Sequence, residues 1–168
     1  APVTVRINRT KTTREEAIEL LLDQGVTAKP STVAPDGLEI ERGSVQKTDL
    51  IDRGYLSLQD ESSMLVARAL GAEASDHVLD SCAAPGGKAM HIAEGLTTGT
   101  LQALDLHPHK IKLIEQQATR LGLTTVRAEA LDARKAGERF ESESFDRILV
   151  DAPCSGLGVI RRKPDIKW

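Results

Sequence analysis

The 168 residues suffice for one ordinary domain with a small appendage, and for a buried core that needs neither disulfides nor metal. Hydrophobic residues make up 40% and charged residues 28%, a balance that excludes global disorder, and no apolar run is long enough to cross a membrane. The net charge of −3 is uneven, because residues 1–14 carry only basic charges and residues 155–168 carry an excess of them. Such ends can contact phosphate, and ordinary solvated surface is the alternative interpretation.

The cysteines and the start of the chain indicate a compartment. Cys82 and Cys154 lack the spacing of a disulfide framework or a zinc site, which favours a reducing, cytoplasmic setting. The first residues lack a basic segment followed by an apolar one, so we expect no secretory signal. The chain also lacks an initiator Met, and we therefore expect a fragment of a longer protein.

The first 58 residues predict a small α+β region. Val3–Asn8 alternates apolar and polar residues, as a half-buried strand does. Thr13–Glu16 fits a capping box at the start of a helix that ends at Gly25. The prolines within residues 29–37 predict a loop, and Gly37–Glu41 predicts a second strand.

Residues 59–168 predict an α/β domain with a parallel sheet. Strands alternate with helices there, which implies right-handed crossovers. A helix that stops at Gly71 comes first. The predicted strands are 77–80, 101–105, 124–127 and 145–151, and the helices between them run through Ala93 and over 108–121.

The ends of these strands carry the residues of chemical interest, because ligands of open α/β sheets bind outside the carboxyl ends. The first strand leads into Asp80–Lys88, whose small residues and paired glycines let a ligand approach the backbone. The helix that follows offers free N–H groups to an anion. The segment matches neither the dinucleotide nor the ATP phosphate loop, and an ordinary tight turn is the alternative.

Four polar residues follow the next two strands. Asp105 can accept hydrogen bonds from both hydroxyls of a ribose, or cap the following helix. Asp132 lies just past the third strand, where it reaches an adenine edge or serves as a loop residue. His107 and His109 are too close together at a helix start to favour metal binding, so we expect no metal.

The fourth strand delivers Asp151-Ala152-Pro153-Cys154-Ser155-Gly156 to the same edge. Together with Asp80–Lys88, with Leu104-Asp105 and with His107–Lys110, this run resembles the RNA (cytosine-5) methyltransferases. Gly158–Trp168 and the amino-terminal region look like the RsmB type, which methylates bacterial small-subunit ribosomal RNA. The resemblance covers nearly the whole chain.

The resemblance implies a Rossmann-like, class I S-adenosylmethionine-dependent methyltransferase sheet, incomplete at the carboxyl end, over residues 59–168. It implies that Asp105 binds the cofactor ribose, that Asp132 flanks the adenine, and that Asp151 lies near the methionine part and the target base. The cofactor loop comprises Cys82, Ala83, Ala84, Pro85, Gly86, Gly87 and Lys88.

The implied chemistry needs a thiol and an acid. A thiolate that adds to C6 of cytosine makes C5 nucleophilic enough to take a methyl group, and a carboxylic acid near N3 assists. In the RNA family the attacking cysteine belongs to a later motif, beyond Trp168, and the Cys of the Pro-Cys pair releases the product. We therefore expect Cys154 to act in release and the chain to be inactive alone.

Two other functions stay open at this point. A DNA cytosine-5 methyltransferase would use Cys154 as its nucleophile, and a non-catalytic RNA-binding fragment would hold no cofactor. We expect this sheet to have the strand order 3-2-1-4 and to lack the strands that normally flank the fourth, which would leave the strand at residues 145–150 as an exposed apolar edge. We expect this edge to cause self-association unless Gly156–Trp168 folds back over it.

Overall fold

The computed structural model describes residues 2–81, 83–140, 144–152 and 156–160. The chain divides into two compact units. The first unit comprises residues 1–66 together with Arg120–Gly122, and the second comprises 67–119 and 123–168. Cys82, Pro153–Ser155 and the predicted carboxyl-terminal segment from Arg161 onward lie outside the described residues.

The first unit contains a four-stranded antiparallel sheet with the order β2-β3-β1-β4. One helix crosses between the first two strands, and a short 3₁₀ turn at Val45–Lys47 precedes the last. The elements are β1 (Thr4–Ile7), α1 (Arg14–Asp23), β2 (Thr27–Pro30), β3 (Gly37–Arg42) and β4 (Leu56–Leu58).

Local signals explain the limits of α1. The Thr13 hydroxyl accepts a hydrogen bond from the backbone N–H of Glu16 (3.1 Å), as the capping box predicts. At the other end Gly25 adopts φ +82°, and the N–H of Val26 reaches back to the carbonyl of Leu21 (2.9 Å). The predicted helix is therefore confirmed at both ends.

The predicted loop over residues 29–37 is wrong at its start, where β2 includes Lys29 and Pro30. This strand pairs only with β3 and lies at the edge of the sheet. A proline is tolerated on an edge strand because one side of that strand needs no donor. The sequence pattern did not indicate that this segment would lie at the edge of a sheet.

An aliphatic core holds the first unit together. The strands and α1 bury Val5, Leu21, Leu38 and Leu56 completely, and Tyr55 packs against this cluster from the side. Burying each such side chain contributes about 1.5–3 kcal/mol. Since the chain has few aromatic residues, this aliphatic core agrees with the composition.

The second unit is a five-stranded sheet with the order β7-β6-β5-β8-β9. Its first four strands pair in parallel, and β9 runs antiparallel to β8. The predicted order 3-2-1-4 is thus confirmed. The elements are α2 (Glu61–Leu70), which begins in the first unit, β5 (His77–Asp80), α3 (Gly87–Glu94), β6 (Thr100–Asp105), α4 (Pro108–Leu121), β7 (Val126–Ala130), α5 (Ala136–Arg139), β8 (Arg147–Ala152) and β9 (Gly156–Ile160).

The expectation that residues 145–150 form an exposed edge is wrong. Strand β9 folds back along β8, with Leu149 opposite Val159 and Ala152 opposite Gly156. The backbone groups of β8 therefore have a strand neighbour on both sides. Gly156 is the first residue of the strand that covers β8, and the expectation had named folding back from Gly156 as its exception.

One apolar cluster packs on a face of this sheet. Leu79 and Leu104 come from adjacent parallel strands, and Phe140 and Phe145 meet edge to face beside them with ring centroids 5.2 Å apart. Within the described residues, no helix is long and apolar enough to span a membrane.

Candidate cofactor site at the carboxyl edge of the parallel sheet

The strand register brings three acidic positions to one edge. Asp80 on β5 pairs with Ala103 on β6 and with Leu149 on β8. Asp105 and Asp151 are both two residues beyond that level, on the two strands that flank β5. The backbone of the sheet thus places both positions around the end of the central strand, as the sequence predicted.

The loop that follows β5 is fastened to both neighbouring strands. The backbone N–H and the hydroxyl of Ser81 both donate to the carbonyl of Leu149 on β8 (3.1 Å each). The N–H of Ala83 donates to the carbonyl of Leu104 on β6 (2.9 Å). These bonds join Ser81 and Ala83 to the two strands that flank β5.

Gly86 is required by its backbone conformation. It precedes α3 as the N-cap, with φ +112°, a value that side chains with a Cβ rarely adopt. An added Cβ would meet nothing closer than 3.8 Å, so conformation and not crowding selects glycine. Pro85 and Gly87 beside it are exposed, and the Ala84–Pro85 peptide bond is cis. The loop therefore presents bare backbone at the start of a helix.

Asp105 is buried, with only 6% of its surface exposed, at the last position of β6. Its Oδ1 accepts a hydrogen bond from the N–H of His107 (3.0 Å), which orients the carboxylate at the start of α4. A carboxylate accepts about four hydrogen bonds, so this contact leaves capacity for two hydroxyl donors. The bond closes a turn before α4 begins at Pro108, so Asp105 does not cap the helix, and ribose binding is compatible with this geometry.

Asp132 lies two residues past β7, and its carboxylate is hydrogen-bonded by Arg134. The guanidinium donates from Nη2 to Oδ2 (2.6 Å) and from Nε to both oxygens (3.1 Å each), and the backbone N–H of Arg134 adds a bond to Oδ1 (2.9 Å). Hydrogen bonds from the Arg134 side chain lower the pKa of Asp132 to about 2. The sequence analysis missed Arg134, although the Asp-Ala-Arg spacing was the available signal.

The remaining site predictions fall where less is described. Asp151 belongs to β8 by its backbone. Cys82 and Cys154 lie outside the described residues. Lys88 is half-buried in the first turn of α3. Ser81, which the sequence analysis left without a role, is the residue that joins the loop to β8.

The two histidines beside Asp105 contact each other rather than a carboxylate cluster. The rings of His107 and His109 are 5.5 Å apart and tilted by 30°. Among the residues that the structure describes, no three His, Cys, Asp or Glu side chains are grouped as metal ligands.

The residues at this edge fit an adenosyl cofactor. A glycine turn at a helix start accommodates close backbone approach, and a buried carboxylate at the end of the adjacent strand suits a pair of ribose hydroxyls. A parallel sheet of order 3-2-1-4 with this loop after its central strand is the Rossmann-like fold of S-adenosylmethionine-dependent methyltransferases. The expected fold class is confirmed.

Comparison with protein families defines the class more narrowly. Residues 67–168 match the family described as 16S rRNA methyltransferase RsmB/F, and residues 1–46 match the ferredoxin-like domain of the same group. The chain therefore belongs to the RsmB/F family of 16S rRNA methyltransferases.

Individual relatives agree with this assignment. A probable ribosomal RNA small subunit methyltransferase B of Bacillus subtilis is 53% identical over 98% of this chain and 37% of its own length. The ribosomal RNA small subunit methyltransferase B of Vibrio cholerae is 39% identical over the whole chain and 39% of its own length. The chain thus spans less than two fifths of these curated relatives.

Solved structures share the fold. A methyltransferase homolog protein from Pyrococcus horikoshii has a TM-score of 0.82 at 29% identity, covering 92% of this chain and 51% of its own. NSun6 from Pyrococcus horikoshii, solved with SFG, has a TM-score of 0.81 at 21% identity, covering 90% of this chain and 63% of its own.

Proposed function

We propose that the protein carrying this sequence transfers a methyl group from S-adenosylmethionine to C5 of a cytosine in small-subunit ribosomal RNA. The observation that carries the proposal is the buried carboxylate of Asp105, which lies at the end of the strand next to the glycine turn. Family membership supplies the substrate class. Because bacterial ribosomal RNA is the substrate, the protein works in the cytoplasm.

Each site residue has a definite task in this proposal. The backbone from Cys82 to Lys88 lines the cofactor, with Gly86 and Gly87 allowing close approach. Asp105 binds the ribose and Asp132 flanks the adenine. Bound S-adenosylmethionine supplies an activated methyl group.

The remaining residues act on the base. Asp151 follows the buried part of β8, and its carboxylic acid assists addition to the base by sharing a proton near N3. The thiol of Cys154 acts in release of the methylated product. Residues 59–168 hold these groups, and residues 1–58 form the region that precedes them.

The cofactor assignment is tested by Asp105→Asn. This variant keeps an oxygen for the His107 N–H and replaces the other acceptor with a donor, so one ribose hydroxyl loses its partner. A lost hydrogen bond to a charged acceptor costs roughly 1.5–3 kcal/mol, or about tenfold or more in affinity. Calorimetry with S-adenosylhomocysteine measures the dissociation constant.

Asp76→Asn is the matched control. Asp76 is also buried, but it precedes β5 at the opposite end of the sheet and binds Arg147 (3.0 Å) and the N–H of Glu73 (2.9 Å). This variant lowers the melting temperature and leaves cofactor affinity unchanged. Equal affinities of wild type and Asp105→Asn would refute the ribose assignment.

The role of Cys154 is tested in the protein that carries this sequence, with ribosomal RNA and cofactor. If the thiol releases product, Cys154→Ala accumulates a covalent protein–RNA adduct that survives denaturing electrophoresis. Cys82→Ala serves as the control, because it removes the other thiol of this chain and forms no such adduct. A dead Cys154→Ala variant without adduct would instead identify Cys154 as the attacking group.

A further inference from the structure

The outer edge of β7 presents backbone groups that no described strand covers. Strand β7 is the last in the sheet order and pairs only with β6. The carbonyl of Thr125 accepts from the N–H of Leu101, and the N–H of Leu131 donates to the carbonyl of Asp105 (2.9 Å each). Odd-numbered residues of β7 therefore direct their amides to β6, and Val126, Ala128 and Ala130 direct theirs outward.

The side chains along this edge form a symmetric charge pattern. Arg127 and Glu129 flank Ala128 and point to the same face, since side chains alternate along a strand. Arg127 is exposed, and Glu129 is 31% exposed beside Arg139, whose guanidinium lies 3.0 Å away. In a second copy that runs antiparallel, Glu129 comes before Arg127 along the edge. The pattern is therefore complementary to itself in an antiparallel pair.

Arg127 currently covers part of the edge. The guanidinium Nη1 donates to the carbonyls of Thr124 (2.9 Å) and Val126 (3.2 Å). The second of these carbonyls belongs to a residue that faces outward. An approaching strand takes over that acceptor with an N–H and frees the guanidinium for a carboxylate.

We propose that this edge pairs with the β7 edge of a second copy of the chain, antiparallel and with Ala128 opposite Ala128. Val126 then pairs with Ala130 of the second copy through outward-facing amides. Arg127 lies directly opposite Glu129 of the second copy, and the two-fold axis creates this ion pair twice. Oppositely charged residues in that position stabilise an antiparallel pair.

Strand β7 is only five residues long, which limits the area that a second copy can cover. The outward-facing residues Ala128 and Ala130 are small. Because the pairing involves about five residues a side, the interface is below the ~1,000 Å² of a stable complex. We therefore expect a weak dimer that dissociates on dilution.

Sedimentation equilibrium of the 168-residue chain over a wide concentration range tests the proposal. Arg127→Glu places like charges opposite each other twice and raises the dissociation constant by about tenfold or more. Glu129→Arg acts in the same way. The double variant Arg127→Glu with Glu129→Arg restores the complementarity and recovers association.

Two further variants test whether association depends on the edge of β7. Lys112→Glu changes the net charge as much as Arg127→Glu does, on an exposed position of α4, and leaves association unchanged. Ala128→Pro removes an N–H that faces outward and abolishes association while the chain keeps its melting temperature. A wild type that is monomeric at every concentration, or a double variant that fails to recover association, overturns the proposal.

Discussion

Among the groups at the candidate site, the carboxylate of Asp132 most clearly favours its ionised form. Hydrogen bonds from the Arg134 side chain and then from its backbone N–H lower the pKa of Asp132 from 3.8 to about 2. A lowered pKa means that the folded state favours the ionised form, so this stabilisation is present above pH 3.8 and is lost as the pH falls through about 2. The Arg134 side chain is exposed to solvent and Asp132 is partly exposed, which limits the size of the effect.

Arg134→Ala tests this account. Without the guanidinium, the pKa of Asp132 rises toward its ordinary value, which a carboxyl-carbon NMR titration measures directly. Asp49 is the internal control. Its pKa is lowered mainly by a hydrogen bond from Gln24 and to a smaller extent by Arg53, and the variant changes neither residue. An Asp132 titration that is unchanged in the variant would show that Arg134 is not the cause.

The two acids proposed to bind the cofactor lie in different environments. Asp105 is buried and held by a single described backbone contact, whereas Asp132 is gripped by a side chain on the surface. Truncating Asp105 therefore removes an acceptor from a dry environment, where an unpaired partner is costly. The Asp105→Asn experiment above is for this reason the more decisive test of the site.

Two glycines show how elements in the first unit are limited by different physical effects. Gly25 after α1 has φ +82°, and an added Cβ would meet nothing within 4 Å. Gly54 has φ +75°, and an added Cβ would lie 2.0 Å from the carbonyl oxygen of Arg120. Conformation alone selects the first glycine, whereas conformation and close packing select the second.

Gly25→Ala and Gly54→Ala therefore form a matched pair. The first substitution costs about 1–2 kcal/mol of unfolding free energy, from the left-handed conformation alone. The second adds a clash with backbone and costs about 2–5 kcal/mol in total. Denaturant unfolding followed by circular dichroism measures both. Equal losses in the two variants would contradict the packing account of Gly54.

The packing at Gly54 is supported by buried polar contacts of the same unit. The Asn8 amide donates to the carbonyls of Gly54 and Leu121 (2.9 Å each). The guanidinium of Arg120 donates to the carbonyls of Ile51 (2.7 Å) and Leu56 (2.9 Å). Through these bonds the last residues of α4 are part of the first unit.

At the scale of the whole molecule, the residues of the proposed cofactor site belong to one unit. The glycine turn, the start of α3 and the segment after Asp105 belong to the second unit, whereas β2 and β3 belong to the first. S-adenosylhomocysteine is expected to slow amide exchange at residues 83–89 and 105–107 while the exchange of β2 and β3 stays unchanged. Hydrogen-exchange mass spectrometry measures this pattern, and an absence of protection at residues 83–89 would place the ligand elsewhere.

The sequence by itself determined the order of most elements and the level of the sheet at which the candidate site residues lie. Helix limits at Thr13 and Gly25 and the alternation of strands with helices depend on local conformational preferences, which neighbouring residues set. The site positions were predictable because parallel strands bring their carboxyl ends to one edge, so Asp105 and Asp151 fall at the same level in any such sheet. The acidic residues and the glycine turn carried that information without any contact being known.

Tertiary structure decided which strands lie at the edges and which side chains pair. Strand β2 contains Pro30, a residue that a sequence pattern assigns to a loop, and only its place at the edge of the sheet makes the strand possible. Strand β8 is covered by β9, and β7 is left as a terminal strand, because pairing partners are chosen by the fold as a whole. The grip of Arg134 on Asp132 also depends on the turn after β7. Local sequence sets conformational preferences, but neighbours that are distant in sequence determine edges and ion pairs.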